Sequence, residues 1–142
     1  MKCDGKKPNR SGFVLLAAVI GAILIVAGCD LLGTQMTIEQ RIEAFESEIN
    51  LTNRSEVYTH THPDAQNHQG ARLSTYWNTI LPTADRPYTI TIVDTDNVVV
   101  TASISGSGGQ YNNTPIVFEM KEDGLANWKI LIITIGDTVV FD

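Results

Sequence analysis

Three histidines lie close together in the middle of this 142-residue sequence, at His60, His62 and His68, with Asp64 beside them. Imidazole nitrogens and a carboxylate are ligands that zinc and copper accept. His60 and His62 would point the same way only from an extended segment, which Pro63 allows. The spacing fits no zinc motif, so we favour idle, exposed histidines and predict no metal and no other cofactor. The open alternative is one histidine at a pocket mouth, acting as a general base.

Aromatic side chains form the second candidate site. Three are expected on helices that face a sheet and one on the sheet itself: Tyr58, Tyr76, Trp77 and Trp128. Such residues can line a cavity for an apolar ligand, with the tyrosine hydroxyls fixing its orientation. Simple core packing, in which each hydroxyl finds one backbone partner, is the competing interpretation.

The remaining chemistry is sparse. The acidic residues fall mostly in expected turns or on an exposed helix face, and Glu119 alone lies within a strand, opposite Phe118. The glycine-rich stretch 106–109 precedes no helix, so it lacks the context of a phosphate-binding loop. Residues 29–142 carry 6 basic and 15 acidic side chains, a balance that argues against nucleic acid as a partner. We assign no catalytic residue.

Helical elements come first along the chain. Thr37 and Gln40 fit a capping box, and a stripe of apolar residues follows at helical spacing: Ile38, Ile42, Phe45 and Ile49. A short second helix is predicted over 53–60. A third is predicted over 69–80, with an apolar face at i, i+3, i+4 and i+7: Leu73, Tyr76, Trp77 and Ile80.

After Pro87 the apolar period changes to two, which is typical of strands. The alternation predicts strands over 88–92, 98–104, 116–120, 128–135 and 138–141, joined by short turns at 94–97, 122–124 and 136–137. Strands joined by short turns pair antiparallel. Helices followed by strands predict an α+β domain, with the N-terminal helices packed on an antiparallel sheet of four to five strands.

The chain begins with a leader. Four basic residues precede the stretch 13–27, in which 14 of 15 residues are apolar. That stretch is shorter than the roughly 20 residues of a membrane-spanning helix, so the leader is predicted to be a signal peptide. Val26, Ala27, Gly28 and Cys29 resemble the lipobox of bacterial lipoproteins, in which cleavage precedes the cysteine.

That resemblance implies removal of residues 1–28 and a diacylglycerol on Cys29, the mature N-terminus. Residues 29–36 would then form a lipidated tether, and 37–142 the folded domain. Asp30 resembles a signal for retention at the inner membrane. With Cys3 removed and Cys29 lipidated, the folded domain contains neither a disulfide nor a thiolate metal site.

The order of elements also resembles the nuclear transport factor 2-like superfamily, which includes SnoaL-like domains. The resemblance covers nearly all of residues 37–142 and is strongest at Phe118, Glu119 and Met120 before a hairpin and at Trp128, Lys129 and Ile130 after it. It implies a cone in which a curved sheet wraps the helices around a pocket. Members include small enzymes and binding domains, so fold alone chooses no function.

The sequence therefore predicts a lipid-anchored protein of the bacterial cell envelope that binds an apolar small molecule or a protein partner without catalysis. One alternative is a small pocket enzyme of the SnoaL or isomerase type, using Tyr76 or the group His60, His62 and Asp64. Another is a structural homodimer paired through a semi-polar sheet face that bears Thr89, Thr91, Thr101 and Val99.

Overall fold

The computed structural model describes residues 35–124 and 126–142. The predicted signal peptide, the lipidation at Cys29 and the signal at Asp30 lie outside the described residues. Two α-helices, α1 (Ile38–Ile49) and α2 (Ser74–Ile80), precede five strands. The strands are β1 (Tyr88–Asp96), β2 (Val99–Gly106), β3 (Thr114–Glu122), β4 (Trp128–Ile135) and β5 (Thr138–Phe141). Among the described residues, no helix has both the length and the apolar character to span a bilayer.

Helix α1 begins at the predicted capping box. The Gln40 backbone N–H donates to Thr37 Oγ1 at 3.3 Å, and the Thr37 N–H donates to Gln40 Oε1 at 3.0 Å. These bonds satisfy N–H groups that lack partners within the first turn of a helix. The predicted apolar stripe is buried at all four positions, Ile38, Ile42, Phe45 and Ile49. Burial of each such side chain contributes about 1.5–3 kcal/mol.

The strands form one antiparallel sheet in the order β1-β2-β3-β4-β5, so each strand pairs with its neighbours in sequence. Both helices pack on one face of this sheet, where Phe45 meets the rings of Trp77 and Phe118 at centroid distances of 5.5 and 5.9 Å. The predicted α+β arrangement is confirmed. Strands β4 and β5 occupy the predicted residues, and β4 pairs on both sides.

The first hairpin differs from the expected turn at 94–97. Strand β1 continues to Asp96, and the turn is made by Asn97 and Val98 alone. Asn97 adopts a φ of 56°, a left-handed conformation that asparagine tolerates better than most residues and that tight hairpins require. Strand β1 therefore extends four residues beyond the strand over 88–92 that the alternation of apolar residues predicted.

The prediction of a continuous third helix over 69–80 is wrong. Leu73 has an extended backbone (φ −98°, ψ 125°), and it separates a 3₁₀ turn at Gly70–Arg72 from α2. Leu73 is consequently 61% exposed, so it is not part of the buried face. Trp77 is fully buried, and Tyr76 and Ile80 pack against the core.

The second predicted helix, over 53–60, is reduced to a 3₁₀ turn at Val57–His60. Asn53 does not cap it. The Asn53 Oδ1 instead accepts from the Ser55 N–H and from the Ser74 hydroxyl, both at 3.0 Å. Asparagine often makes such local bonds in competition with helix formation.

The side chains of Asn50, which follows α1, and of Glu46 within α1 cover the free edge of β1. The Asn50 side chain donates to the Tyr88 carbonyl at 2.8 Å and accepts from the Tyr88 N–H at 2.7 Å. The Ile90 N–H donates to Glu46 Oε2 at 2.9 Å. These bonds replace a missing neighbouring strand, and they fix α1 over the sheet.

Candidate binding site

An open groove lies where α1 begins. Its walls come from the residues that lead into the helix and from the turn between β3 and β4: Gln35, Met36, Thr37, Ile38, Glu39, Ala126 and Trp128. We call it the Trp128 groove. Its volume is about 390 Å³, which lies in the range of small-molecule sites. Met36, Ile38 and Trp128 give it apolar walls, with polar Gln35 and Glu39 beside them.

The turn that forms one wall has an unusual backbone. Gly124 and Ala126 both adopt positive φ angles, 79° and 54°. Glycine adopts this region freely, whereas alanine pays a small steric cost in it. Ala126 lies two residues before Trp128, which begins β4.

Arg41, a residue of α1, connects the helix wall of the groove to the wall formed by the β3–β4 turn. Its guanidinium is buried and donates three hydrogen bonds: from Nε to the Trp128 carbonyl at 2.7 Å, from Nη2 to Asn127 Oδ1 at 2.7 Å, and from Nη1 to His60 Nδ1 at 3.1 Å. These acceptors belong to the β3–β4 turn, to β4 and to the 3₁₀ turn at Val57–His60. Burial lowers the pKa of Arg41, and the Asp123 carboxylate opposes that shift.

Sequence reasoning missed Arg41, although a signal was present. Arg41 follows Ile38 by three positions and precedes Phe45 by four, so it lies on the same face of α1 as the apolar stripe. A cation on a buried helix face must find acceptors elsewhere in the fold. No pattern in the sequence identified Asn127, which lies 86 residues after Arg41, as one of these acceptors.

The expectation that the histidines are exposed is wrong, because His62 and His68 are 5% and 8% exposed and His60 is half-buried. His60 accepts from Arg41, and an arginine can only donate, so His60 is neutral and carries its proton on Nε2. His62 Nδ1 accepts from the Asp64 N–H at 3.0 Å, and its Nε2 donates to the Glu122 carbonyl at 3.2 Å.

His68 forms a hydrogen bond through Nδ1 with the Thr61 hydroxyl at 2.8 Å. Each predicted histidine therefore contacts a different partner. The described residues contain no group of three His, Cys, Asp or Glu side chains placed to share a metal ion.

Charge and burial act together on two of these rings. Burial, reinforced by the positive charges of Arg41 and Lys129, lowers the pKa of His60 to about 4. Burial and then the positive charge of Arg72 lower the pKa of His68. Both rings therefore remain neutral near pH 7, and for His60 the hydrogen bond accepted from Arg41 also requires it.

The four predicted aromatic residues lie in three places. Trp77 is fully buried, stacks on Phe141 at 5.8 Å and donates from its indole N–H to the Ala71 carbonyl at 2.8 Å. The Tyr76 hydroxyl donates to the Val140 carbonyl at 2.9 Å. Tyr58 packs between the ring of His68 and the guanidinium of Arg72. Of the four, Trp128 lines the groove.

The sheet face that points away from the helices carries the residues predicted for a homodimer. Thr89, Thr91, Val99 and Thr101 are all exposed there. Val139 on β5 is a further exposed apolar side chain, with 55% of its surface accessible to solvent. The pairing of two copies through this face stays a prediction.

Comparison of the chain with protein-family models, with curated proteins and with solved structures found no match.

Proposed function

We propose that this chain is a lipid-anchored cell-envelope protein whose folded part binds an apolar small molecule in the Trp128 groove, without catalysing a reaction. The observation that carries the proposal is the groove itself, with its apolar walls of Met36, Ile38 and Trp128. Its volume of about 390 Å³ suits a ligand of small-molecule size, or a segment of a longer chain.

The side chains of the groove suit an apolar guest. Methionine is unbranched and adapts to irregular shapes, and a half-buried tryptophan offers a large flat surface for contact. Glu39 and Gln35 at the same site supply polar groups that can orient a ligand with one polar end. An amphipathic molecule with an apolar chain is the class that fits this combination.

The position of the groove in the sequence supports a source in the membrane. Gln35 follows Cys29 by six residues, a separation that an extended chain spans in at most about 22 Å. A diacylglycerol on Cys29 would anchor the chain stably, since two acyl chains bind a bilayer far better than one. A ligand leaving the bilayer would therefore have a short distance to travel.

The resemblance to the nuclear transport factor 2-like superfamily supports the same class of function, because many of its members bind ligands or partners without catalysis. The interior between the helices and the sheet is filled here by aromatic contacts of Phe45, Trp77 and Phe118. For this reason we place the ligand in the Trp128 groove and not between the layers.

Native mass spectrometry of the full chain, extracted from bacterial membranes, tests the proposal. We expect a mature chain that begins at Cys29, carries a diacylglycerol and retains a non-covalent apolar molecule. Met36→Glu introduces a charge into the groove wall and should abolish the retained molecule, while the exposed substitution Glu43→Gln on α1 should preserve it. Equal retention by both variants would show that the groove does not hold the ligand.

A further inference from the structure

Arg54 is completely buried, and it is bonded through only one of its three guanidinium nitrogens. Nη1 donates to the Trp77 carbonyl at 3.4 Å, to Asn78 Oδ1 at 3.2 Å and to the Leu81 carbonyl. These bonds close the C-terminal end of α2. Nε and Nη2 have no hydrogen-bond partner among the described residues. Unsatisfied donors on a buried charged group are costly, so they call for an acceptor.

The charge of Arg54 is also unbalanced. None of the ion pairs in the described part of the chain involves an arginine. Burial and then the positive charge of the Arg86 guanidinium lower the pKa of Arg54. Arg86 in turn donates to the carbonyls of Asn50, Leu51 and Thr83, all of which are neutral.

The ring of Tyr88 provides part of the compensation, since its centroid lies 5.9 Å from Arg54 Cζ. A ring at that distance attracts a cation weakly compared with a carboxylate. Neither of these neighbouring guanidinium groups forms an ion pair with a carboxylate among the described residues. Burying a charge in this way is expensive unless a counter-charge accompanies it.

The geometry of the free nitrogens indicates what that counter-charge is. The N–H of Nε and one N–H of Nη2 point the same way along one edge of the planar guanidinium, an arrangement that grips an anion with two parallel bonds. Both nitrogens are shielded from solvent, so only a small guest can reach them. We propose that a monovalent anion of the size of chloride binds at the Nε–Nη2 edge of Arg54.

This site is separate from the Trp128 groove, because none of the residues around Arg54 lines that groove. A bound anion would balance the buried charge of the Arg54 guanidinium. It would stabilise the folded chain in proportion to its concentration, since an anion that binds only the folded state raises the free energy of unfolding.

Thermal unfolding of the full chain in detergent tests the proposal. At constant ionic strength, chloride replaces gluconate, which is too bulky for an enclosed site. Above the dissociation constant, each tenfold increase in chloride should raise the unfolding midpoint by about 5 °C. Arg54→Lys keeps the charge but removes the two-pronged edge, and it should abolish this dependence. The exposed Arg72→Lys should retain it.

If Arg54→Lys fails to fold, anomalous X-ray diffraction from a bromide-containing crystal tests whether an anion binds at Arg54. A crystal of the unmodified chain grown in bromide should show an anomalous peak within hydrogen-bond distance of both Arg54 nitrogens. An ordered water there with no anomalous signal would overturn the proposal. So would an unfolding midpoint of the unmodified chain that is the same in chloride and in gluconate.

Discussion

One buried cation, Arg41, holds the walls of the Trp128 groove together. Its three hydrogen bonds reach the Trp128 carbonyl, the Asn127 side chain and the His60 ring. Each of these acceptors would otherwise face a partly buried region without a donor. The shape of the groove thus depends on a residue that does not line it.

Replacing Arg41 by alanine should lower the free energy of unfolding by about 2–4 kcal/mol, because three acceptors lose their donor at once. Glu43→Ala is the matched control, since Glu43 is exposed on the same helix. It should change stability by less than about 0.5 kcal/mol. Urea denaturation of both variants measures the difference. A loss at Arg41 no larger than that at Glu43 would show that these bonds contribute nothing.

His60 should make stability depend on pH. Its folded-state pKa of about 4 lies below the usual histidine value of 6.5, so the unfolded chain takes up a proton first as pH falls. The contribution of His60 to the free energy of unfolding should be constant above pH 6.5 and decrease between pH 6.5 and 4. The decrease is at most about 3 kcal/mol, and smaller to the extent that solvent screens this half-buried ring.

The variant His60→Asn separates this effect from other titrating groups. Asparagine keeps an acceptor for Arg41 but cannot take up a proton. Urea unfolding at intervals from pH 7 to pH 4 should give a shallower slope for the variant than for the unmodified chain. Parallel curves for the two proteins would mean that His60 is not the titrating group. His68 contributes in the same direction in both proteins, because its pKa is lowered as well.

At the scale of elements, the edge of β1 is protected by side chains at the C-terminal end of α1 and directly after it, and not by another strand. The Asn50 side chain makes both backbone hydrogen bonds that a neighbouring strand would make with Tyr88. The Glu46 carboxylate accepts from the Ile90 N–H. The helix and the sheet are therefore joined by polar bonds at the edge as well as by apolar packing in the middle.

Asn50→Ala should expose this edge. We expect a loss of about 1–3 kcal/mol and exchange of the Tyr88 amide hydrogen at least about tenfold faster, since that N–H loses its acceptor. Asn112→Ala, in the exposed loop between β2 and β3, serves as the control. Hydrogen exchange followed by NMR gives both values. An unchanged exchange rate at Tyr88 would contradict the protective role of Asn50.

Local patterns predicted the elements whose conformation is set locally. Alternating apolar residues gave β3, β4 and β5 within a few residues, and Thr37 marked the start of α1. The break at Leu73 was not predictable in this way. The next residue, Ser74, accepts from the Arg54 backbone N–H at 3.0 Å, a contact made across twenty residues. Tertiary contacts of this kind override the helical pattern.

The candidate site was predictable only in part, for the same reason. Trp128 was predicted from its type and its strand, and it lines the groove. The groove also needs Met36, Ala126 and the support of Arg41, which come from distant parts of the sequence. The histidines formed a group in sequence, but in the fold each one bonds to a different partner.

At the scale of the whole molecule, the chain combines an acidic folded part with a groove at its beginning. Residues 29–142 carry a net charge of −9, which anionic lipid headgroups would repel. Attachment to a membrane would then depend on the lipid at Cys29 and not on surface charge. The proposed function requires the groove to take an apolar guest while the rest of the surface remains in water.

Quenching of tryptophan fluorescence by a brominated long-chain alcohol tests this central claim most directly. The sequence contains two tryptophans, of which Trp77 is fully buried and Trp128 lines the groove. Titration of the unit Gln35–Asp142 with the uncharged 12-bromododecanol should quench part of the emission and reach saturation. Trp128→Phe should abolish that quenching. The same saturable quenching in Trp128→Phe, or none in the unmodified unit, would contradict binding in the Trp128 groove.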